Sequence, residues 1–258
     1  MYPLLPPPRV LQHLLLREGV DSVPILIQGE TREDFTATEK ISGHEFRFVL
    51  PGPALRPDEC QSLLATLDGI EPCPTFGVIS GSLPPGVPAD LYAQVVRLMK
   101  KKGAKIIVDT SGPALGNALT EGVYLVKPNL REFRELMQAP LSGEHELIRA
   151  SKSVINRGQA HMVALTLGED GALLVTKEQV WRGHAPKVAA VSSVGAGDSF
   201  LAGMISGLVR QRPITDYLRY AIAAGTAALL SPGTDLCWPA DVERLLPHVT
   251  VQEFVPAS

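Results

Sequence analysis

The chain has 258 residues, enough for one large α/β domain or two smaller ones, and its 45% hydrophobic and 20% charged residues suit a globular protein with a substantial core. Its net charge of -3 and the absence of a long basic run give no reason to expect binding to nucleic acid or to an acidic membrane surface. The cysteines Cys60, Cys73 and Cys237 are far apart and form no zinc-binding or disulfide pattern. The first residues lack the features of a signal peptide, and no apolar run approaches the length of a membrane span, so we expect a cytoplasmic protein.

Residues 25–50 predict short strands beside a larger fold. The prolines at positions 3, 6, 7 and 8 argue against regular helix or an inner strand at the start of the chain. The strand candidates that follow are Ile25 to Gln28, Phe35 to Ile41 and Glu45 to Leu50, and turn residues separate them. We expect a small antiparallel element here.

From residue 75 onward, short apolar runs alternate with amphipathic stretches. The predicted strands cover 76–80, 105–109, 123–126, 161–167 and 172–176. The predicted helices cover 89–101, 130–137, 144–156, about 198–210 and about 214–230. This alternation is typical of a parallel sheet with helices on both faces, so we predict a single α/β domain over residues 1–258.

The sharpest motif is a glycine turn in front of an apolar helix, Gly195-Ala196-Gly197-Asp198. Glycines in this position let backbone N–H groups converge, and the helix dipole adds partial positive charge. Such a turn can stabilise charge on a transferred phosphoryl group, while Asp198 accepts the proton of an attacking hydroxyl. The alternative is a tight turn with Asp198 as a helix cap. A dinucleotide-binding oxidoreductase is disfavoured, because Phe200 stands where the third glycine of its fingerprint is needed.

A second motif combines Lys127, Pro128, Asn129 and Glu132. Pro128 favours the start of a helix, and Asn129 and Glu132 are three residues apart on one helix face. An amide oxygen and a carboxylate at the end of a strand can hold Mg²⁺ through its waters. The alternative is a capping box, in which each side chain binds the other residue's backbone N–H.

A third motif, from Thr166 to Gly171, leads from the end of a strand into a glycine-rich turn. Ligands of open α/β sheets bind at the carboxyl ends of the strands, so the turn is a candidate nucleotide contact. The alternative is an ordinary hairpin into the strand at 172–176.

Taken together and in this order, the three motifs resemble those of the ribokinase-like, or PfkB, carbohydrate kinases. The resemblance extends from about Arg32 to about Cys237. The stretches FRFVLPG at 46–52 and SGSLPPG at 80–86 are similar to kinases of phosphorylated ketohexoses, nearest to the minor bacterial 6-phosphofructokinases, and VDTSG at 108–112 and AAGTAA at 223–228 also match the family. The resemblance implies a ribokinase-like α/β fold with a reduced β lid formed by residues 25–50.

The resemblance also implies a role for the motif residues. It makes Asp198 the catalytic base and Gly195, Ala196 and Gly197 the anion hole. The residues expected to contact ATP and its Mg²⁺ are Lys127, Asn129, Glu132, Thr166, Gly168, Gly171 and Thr226. Among these, Asn129 and Glu132 would face the Mg²⁺ through its waters.

The sugar phosphate is expected to contact Ser82 and Arg32, since a guanidinium can bind a phosphate with two hydrogen bonds. The alternative for Arg32 is a solvated charge at the end of a strand. The residues implied to bind a monovalent cation such as K⁺, mainly through backbone oxygens, are Ser192, Val194, Ala228, Ser231 and Gly233.

The implied reaction is phosphorylation of a ketohexose phosphate by Mg-ATP, with fructose 6-phosphate ranked first. The alternatives are a 1-phosphofructokinase, a tagatose-6-phosphate kinase, and a nucleotide-binding remnant without turnover.

The start of the chain departs from the family pattern. Family members begin with a strand carrying a substrate-binding aspartate, then lid strands and a Gly-Gly-x-x-x-Asn turn, and none of these is found before Arg9. The segment from Val10 to Glu18 resembles a helix downstream of them, so we expect part of the lid and sugar pocket to be missing. Relatives pair through the lid, so we expect a homodimer only if the lid is complete.

Overall fold

The computed structural model describes residues 7–40 and 45–254. Its first element is helix α1 (Pro7–Arg17). This helix confirms the prediction for the segment from Val10, but it corrects the expectation that the prolines at positions 7 and 8 exclude a helix. Proline is tolerated in the first helical turn because an N–H group there has no intrahelical acceptor.

A two-stranded antiparallel sheet follows, formed by β1 (Phe35–Thr38) and β2 (Glu45–Phe48), and it confirms the predicted small element. The strands are shorter than predicted, and residues 41–44, which include the predicted turn, lie outside the described residues. The predicted strand at 25–28 was wrong, since this segment is irregular. Its Gln28 N–H donates instead to the Glu59 carboxylate on helix α2 (Pro57–Asp68), at 2.7 Å.

The main sheet has seven strands that lie side by side in chain order. They are β3 (Phe76–Ser80), β4 (Lys105–Asp109), β5 (Val123–Val126), β6 (Ala160–Thr166), β7 (Ala172–Val175), β8 (Val180–His184) and β9 (Thr250–Glu253). β3 to β6 pair in parallel, and β7 to β9 continue as an antiparallel meander. Five of the seven strands, β3 to β6 and β8, therefore run in one direction, which confirms the predicted mostly parallel sheet.

Helices cover both faces of this sheet, as predicted. They are α3 (Leu91–Lys101), α4 (Gly112–Thr120), α5 (Leu130–Met137), α6 (Glu144–Asn156), α7 (Ala196–Val209), α8 (Ile214–Ala228) and α9 (Pro239–Leu245). One core lies between the sheet and α3 to α6, and a second lies between the sheet and α7 to α9. Neighbouring strand residues alternate between them: Ile106 faces the first core and Ile107 the second.

Most of the elements predicted from periodicity are present within two residues of their expected ends, and those at 76–80, 105–109, 123–126, 130–137 and 144–156 agree at both ends. The sequence analysis did not predict α2, α4, α9, β8 or β9. No helix in residues 7–40 and 45–254 is both long enough and apolar enough to cross a membrane.

Helices α7 and α8 pack closely because small residues line their contact. A Cβ atom added to Gly207 would lie 1.9 Å from the Cβ atom of Tyr217, and one added to Gly203 would lie 2.7 Å from the Cα atom of Ala221. The two helices can therefore approach this closely only because Gly203 and Gly207 have no side chain. This packing fixes the axis of α7, whose first turn carries the glycine motif.

We expect Gly207→Ala to lower the free energy of unfolding by at least about 2 kcal/mol, because the new methyl group overlaps Tyr217. Gly116→Ala is the matched control, since a Cβ atom on this glycine of α4 meets nothing within 4 Å. The control should be neutral or stabilising by up to about 1 kcal/mol, since alanine favours a helix. Denaturant unfolding of both variants measures the difference, and equal stabilities would contradict the packing described here.

Candidate active site

The carboxyl ends of β4, β5 and β6 meet at one edge of the sheet, and hydrogen bonds beyond the strands join them. The Lys127 N–H donates to the Val108 carbonyl at 3.0 Å, and the Thr166 N–H donates to the Pro128 carbonyl at 3.1 Å. Asn129 forms a further isolated β-bridge with Thr166. The second and third sequence motifs are therefore neighbours at a fixed spacing.

The glycine turn lies against the same edge. Gly195 precedes α7 in the left-handed conformation, with φ of 76°, and its carbonyl accepts the Ser199 N–H at 2.8 Å. Asp198 is exposed in the first turn of α7. A Cβ atom on Gly197 would lie 3.4 Å from the Lys127 Nζ atom, so the first two motifs are in contact. A Cβ atom at this position would be in van der Waals contact with the ammonium group.

A buried ion pair stands beneath this turn. The Lys127 Nζ atom lies 3.1 Å from Asp109 Oδ1, and the two side chains are only 6% and 15% exposed. Burial raises the pKa of the Asp109 carboxyl; the Lys127 ammonium partly offsets this rise, and the charges of Asp198 and Glu132 add to it. One cation therefore sits among three carboxylates. No role was predicted for Asp109 from the sequence. Asp109 is the last residue of a predicted strand, and the same position at a strand end was the reason for predicting Asn129 as a ligand contact.

The capping box considered as an alternative for the second motif is present. Asn129 Oδ1 accepts the Glu132 N–H at 2.9 Å, and Glu132 Oε2 accepts the Asn129 N–H at 2.9 Å. These bonds use one oxygen of the Glu132 carboxylate. No cluster of three or more His, Cys, Asp or Glu side chains in the described ranges could hold a metal ion directly. The residues therefore fit Mg²⁺ that keeps its waters, but they do not form an all-protein cage.

The third motif forms a turn between the antiparallel strands β6 and β7, so the hairpin considered as its alternative is also present. Gly168 and Gly171 have φ of 65° and 93°. A Cβ atom on Gly168 would meet nothing within 4 Å, whereas one on Gly171 would lie 2.3 Å from the Gly183 carbonyl oxygen. Gly168 therefore leaves open space beside the strand ends, and Gly171 lets the turn pack on β8.

Arg182 of β8 supports this turn from below. Its side chain is 8% exposed and pairs with Glu144 at the start of α6, where Nε lies 2.5 Å from Oε1. Its Nη1 group donates to the Asp170 carbonyl at 2.8 Å and to the Gly183 carbonyl at 2.5 Å. The sequence analysis missed this residue, because nothing in the motif reveals which strand packs beneath it.

The predicted nucleotide residue Thr226 lies on α8, behind the glycine turn. It is buried, and its hydroxyl donates to the Ile222 carbonyl one helical turn earlier at 2.8 Å. A Cβ atom on the preceding Gly225 would lie 3.1 Å from the Ala196 carbonyl oxygen. Thr226 is therefore close to the turn, while its hydroxyl is already bonded within its own helix.

The two predicted sugar-phosphate residues, Arg32 and Ser82, line one cavity of about 450 Å³. Arg32 Nε lies 3.4 Å from Asp34 Oδ1, and the Arg32 side chain is 39% exposed. The alternative considered for Arg32, a solvated charge, agrees with this exposure, although the guanidinium also has an acidic partner. Buried Glu59 and Cys60 also line the cavity, and neither was singled out from the sequence. The remaining walls are mostly apolar.

The residues predicted for a monovalent cation lie in the loop before the glycine turn, at the end of α8 and in the loop that follows α8. The Ser192 hydroxyl donates to the Gly233 carbonyl at 3.1 Å and accepts the Val194 N–H at 3.3 Å. The Ser231 N–H donates to the Ala228 carbonyl at 3.2 Å. The structure thus brings these five residues together, and the loops carry backbone carbonyls of the kind such a cation needs.

We expect Asp109→Asn to lower the free energy of unfolding by about 3 kcal/mol, because it leaves the buried Lys127 ammonium without its partner. Glu135→Gln is the control: it removes a partner of Arg131 in a pair at 2.9 Å whose side chains are 50% and 72% exposed, and its effect should be far smaller. The double variant Asp109→Asn, Lys127→Met should recover part of the loss. Denaturant unfolding provides the measurement, and equal effects of the two single changes would contradict the description of a buried pair.

Comparisons with known proteins agree with this arrangement. The family model described as pfkB family carbohydrate kinase matches residues 9–241. ATP-dependent 6-phosphofructokinase isozyme 2 of Mycobacterium tuberculosis is 41% identical over 235 residues, which cover 91% of this chain and 69% of the relative. The 1-phosphofructokinase of Bacillus subtilis is 29% identical over 241 residues, which cover 93% of this chain and 77% of the relative.

The isozyme 2 of Escherichia coli is a further sequence relative, 36% identical over 241 residues, which cover 93% of this chain and 78% of the relative. Comparison with solved structures gives the same result. The crystal structure of Escherichia coli phosphofructokinase-2 in complex with potassium matches with a TM-score of 0.89, again over 93% of this chain and 78% of that chain. This chain therefore belongs to the pfkB family of carbohydrate kinases.

Proposed function

We propose that this kinase transfers the γ-phosphoryl group of Mg-ATP to a hydroxymethyl group of a ketohexose phosphate, with fructose 6-phosphate as the first-ranked substrate. The observation that carries the proposal is the glycine turn at the start of α7, which lies against the buried Lys127 and has Asp198 exposed at its mouth. An anion-binding turn, a cation and a proton acceptor are thereby gathered at one point.

Phosphoryl transfer requires little covalent chemistry from a protein, so positioning and charge stabilisation supply most of the catalysis. The N–H groups around Gly195 to Gly197 and the Lys127 ammonium can stabilise negative charge that develops on the phosphoryl oxygens. Asp198 accepts the proton of the sugar hydroxyl. Mg²⁺, when bound with ATP, neutralises phosphate charge, and Asn129 and Glu132 are the residues placed to bind its waters.

The nucleotide would lie along the third motif, towards the open space beside Gly168. Thr166 stands at the end of β6, one bridge away from Asn129, so a ligand there reaches the Mg²⁺ residues directly. Gly171 contributes through the shape of the turn, because its packing on β8 fixes the position of Gly168. Thr226 was predicted to contact the nucleotide; its buried hydroxyl is bonded to the Ile222 carbonyl, so such a contact would not use a free hydroxyl.

The cavity of about 450 Å³ is the site proposed for the sugar phosphate. Its size fits a hexose phosphate, and Arg32 can exchange its contact with Asp34 for two hydrogen bonds to a phosphate. Ser82 follows β3, whose neighbour β4 ends at Asp109, so the cavity adjoins the ion pair. Similarity to both 6-phosphofructokinases and a 1-phosphofructokinase supports a phosphorylated ketohexose and leaves 1-phosphofructokinase and tagatose-6-phosphate kinase activity as the alternatives.

Three further features belong to the same proposal. The loops at Ser192 and Gly233 would bind K⁺, as the potassium complex of the Escherichia coli relative suggests. Pairing of two copies through β1 and β2 is expected only if the lid is complete, and the exposed rings of Phe35, Phe46 and Phe48 would be available for it. The expected location is the cytoplasm.

We expect Asp198→Asn to lower turnover by on the order of 10² to 10⁴-fold, because the sugar hydroxyl loses its proton acceptor. ATP affinity should change little. Asp216→Asn is the matched control, since Asp216 also stands in the first turn of a helix, α8, and its replacement should leave turnover unchanged. Sugar-dependent ADP release measures turnover and calorimetry measures ATP affinity. If turnover falls by less than about tenfold, Asp198 is not the proton acceptor and acts as a helix cap.

Substrate preference tests the second half of the proposal. Fructose 6-phosphate should give the highest kcat/KM, followed by tagatose 6-phosphate and fructose 1-phosphate. Unphosphorylated ribose should give a low kcat/KM, because it leaves Arg32 without a phosphate partner. Arg32→Ala should raise KM for the hexose phosphates by about tenfold or more, because a charge-assisted pair of hydrogen bonds is lost. A preference for ribose would overturn the substrate assignment. ATP binding without ADP release would identify a nucleotide-binding protein without turnover.

A further inference from the structure

A second cavity, of about 500 Å³, lies at the opposite edge of the sheet from the candidate active site. It is bounded by the amino ends of β3, β4 and β5 and by the connection between α7 and α8. The lining residues that carry charge or an aromatic ring are Phe76, Lys105, Tyr124, Arg212 and Tyr217. Lys105 begins β4 and Asp109 ends it, so about 13 Å of strand separates this cavity from the buried ion pair.

The charges that line this cavity are of one sign. Lys105 and Arg212 contribute two cations, and the lining contains no aspartate or glutamate. Neither cation forms an ion pair within the described ranges, 7–40 and 45–254. In a protein whose net charge is -3, this is a local concentration of unpaired positive charge. An anion is therefore the ligand that such a cavity favours.

Aromatic rings form the wall beneath one of these cations. The Lys105 Nζ atom lies 5.7 Å from the ring centroid of Phe76 and 5.0 Å from that of Tyr124. The two rings meet edge to face, with centroids 5.9 Å apart. A flat or apolar group can pack on these rings while its charge lies near the ammonium group.

Tyr217 also lines this cavity, and its hydroxyl has a weak partner. The side chain is 5% exposed, and within the described part of the chain its O–H contacts one acceptor, the Met162 sulfur, at 3.8 Å. A thioether is a weak acceptor, whereas buried hydroxyl groups usually have a full hydrogen bond. Burial, with a smaller contribution from neighbouring Tyr124, raises the pKa of Tyr217, so this hydroxyl stays protonated and able to donate.

We propose that this cavity is a binding site for a small organic anion, a phosphate or carboxylate carried on a flat ring. Lys105 and Arg212 would bind the anionic group, the Phe76 and Tyr124 rings would pack on the flat part, and the Tyr217 hydroxyl would donate to the ligand. The volume is within the usual range of small-molecule sites. The site is separate from the cavity that holds Arg32 and Ser82.

Titration calorimetry with phenyl phosphate on the 258-residue chain tests this proposal. Inorganic phosphate and phenol, titrated separately, report the contributions of charge and ring, and benzoate tests a carboxylate. Lys105→Ala and Arg212→Ala should each weaken phenyl phosphate binding by about 5- to 10-fold, as expected for one charge-assisted contact. Tyr217→Phe should weaken it by a smaller factor.

Two controls make the result decisive. Arg210→Ala removes a cation from the same connection, one that bonds Ser206 and does not line the cavity, so affinity should be unchanged. Arg32→Ala removes the cation of the other cavity and should also leave affinity unchanged. The proposal is overturned if phenyl phosphate does not bind, if Lys105→Ala and Arg212→Ala have no effect, or if only Arg32→Ala weakens binding.

Discussion

The buried ion pair between Lys127 and Asp109 is the interaction on which the candidate active site depends. Both side chains are almost removed from water, so each needs the other to offset the cost of desolvation. The pair joins the ends of β4 and β5 and supports the glycine turn, which contacts Lys127 through Gly197. The position of the ammonium group therefore follows from the register of the sheet and the packing of α7.

The charges around this pair limit which anions the site can accept. At Asp109, burial together with the charges of Asp198 and Glu132 outweighs the Lys127 ammonium, so the pKa of the Asp109 carboxyl is raised. Such a site repels a free polyphosphate unless additional cations accompany it. The glycine turn offers partial positive charge at the same place without another ionised side chain.

The α/β fold could be predicted because alternating periodicity gave both ends of five of its elements correctly. For the same reason the second and third motifs could be placed at strand ends and the glycine turn at the start of a helix. Contacts between distant segments could not be predicted. The role of Asp109 depends on Lys127, which directly follows the next strand, and the role of Arg182 depends on the packing of β8 against the turn of the third motif. The irregular segment at 25–28 misled the analysis, because its backbone bonds the Glu59 side chain and not a neighbouring strand.

The antiparallel half of the sheet affects how the site would move. Arg182, which holds the turn at Asp170, belongs to β8, and its backbone is paired with Gln252 of the edge strand β9. Edge strands open more readily than inner strands in native-state fluctuations. Fraying of β9 would therefore loosen the support of the turn at Asp170, and it would also withdraw Val251 from its contact with the second core. Hydrogen exchange at the turn would then follow the opening of the last strand, although the two are far apart in sequence.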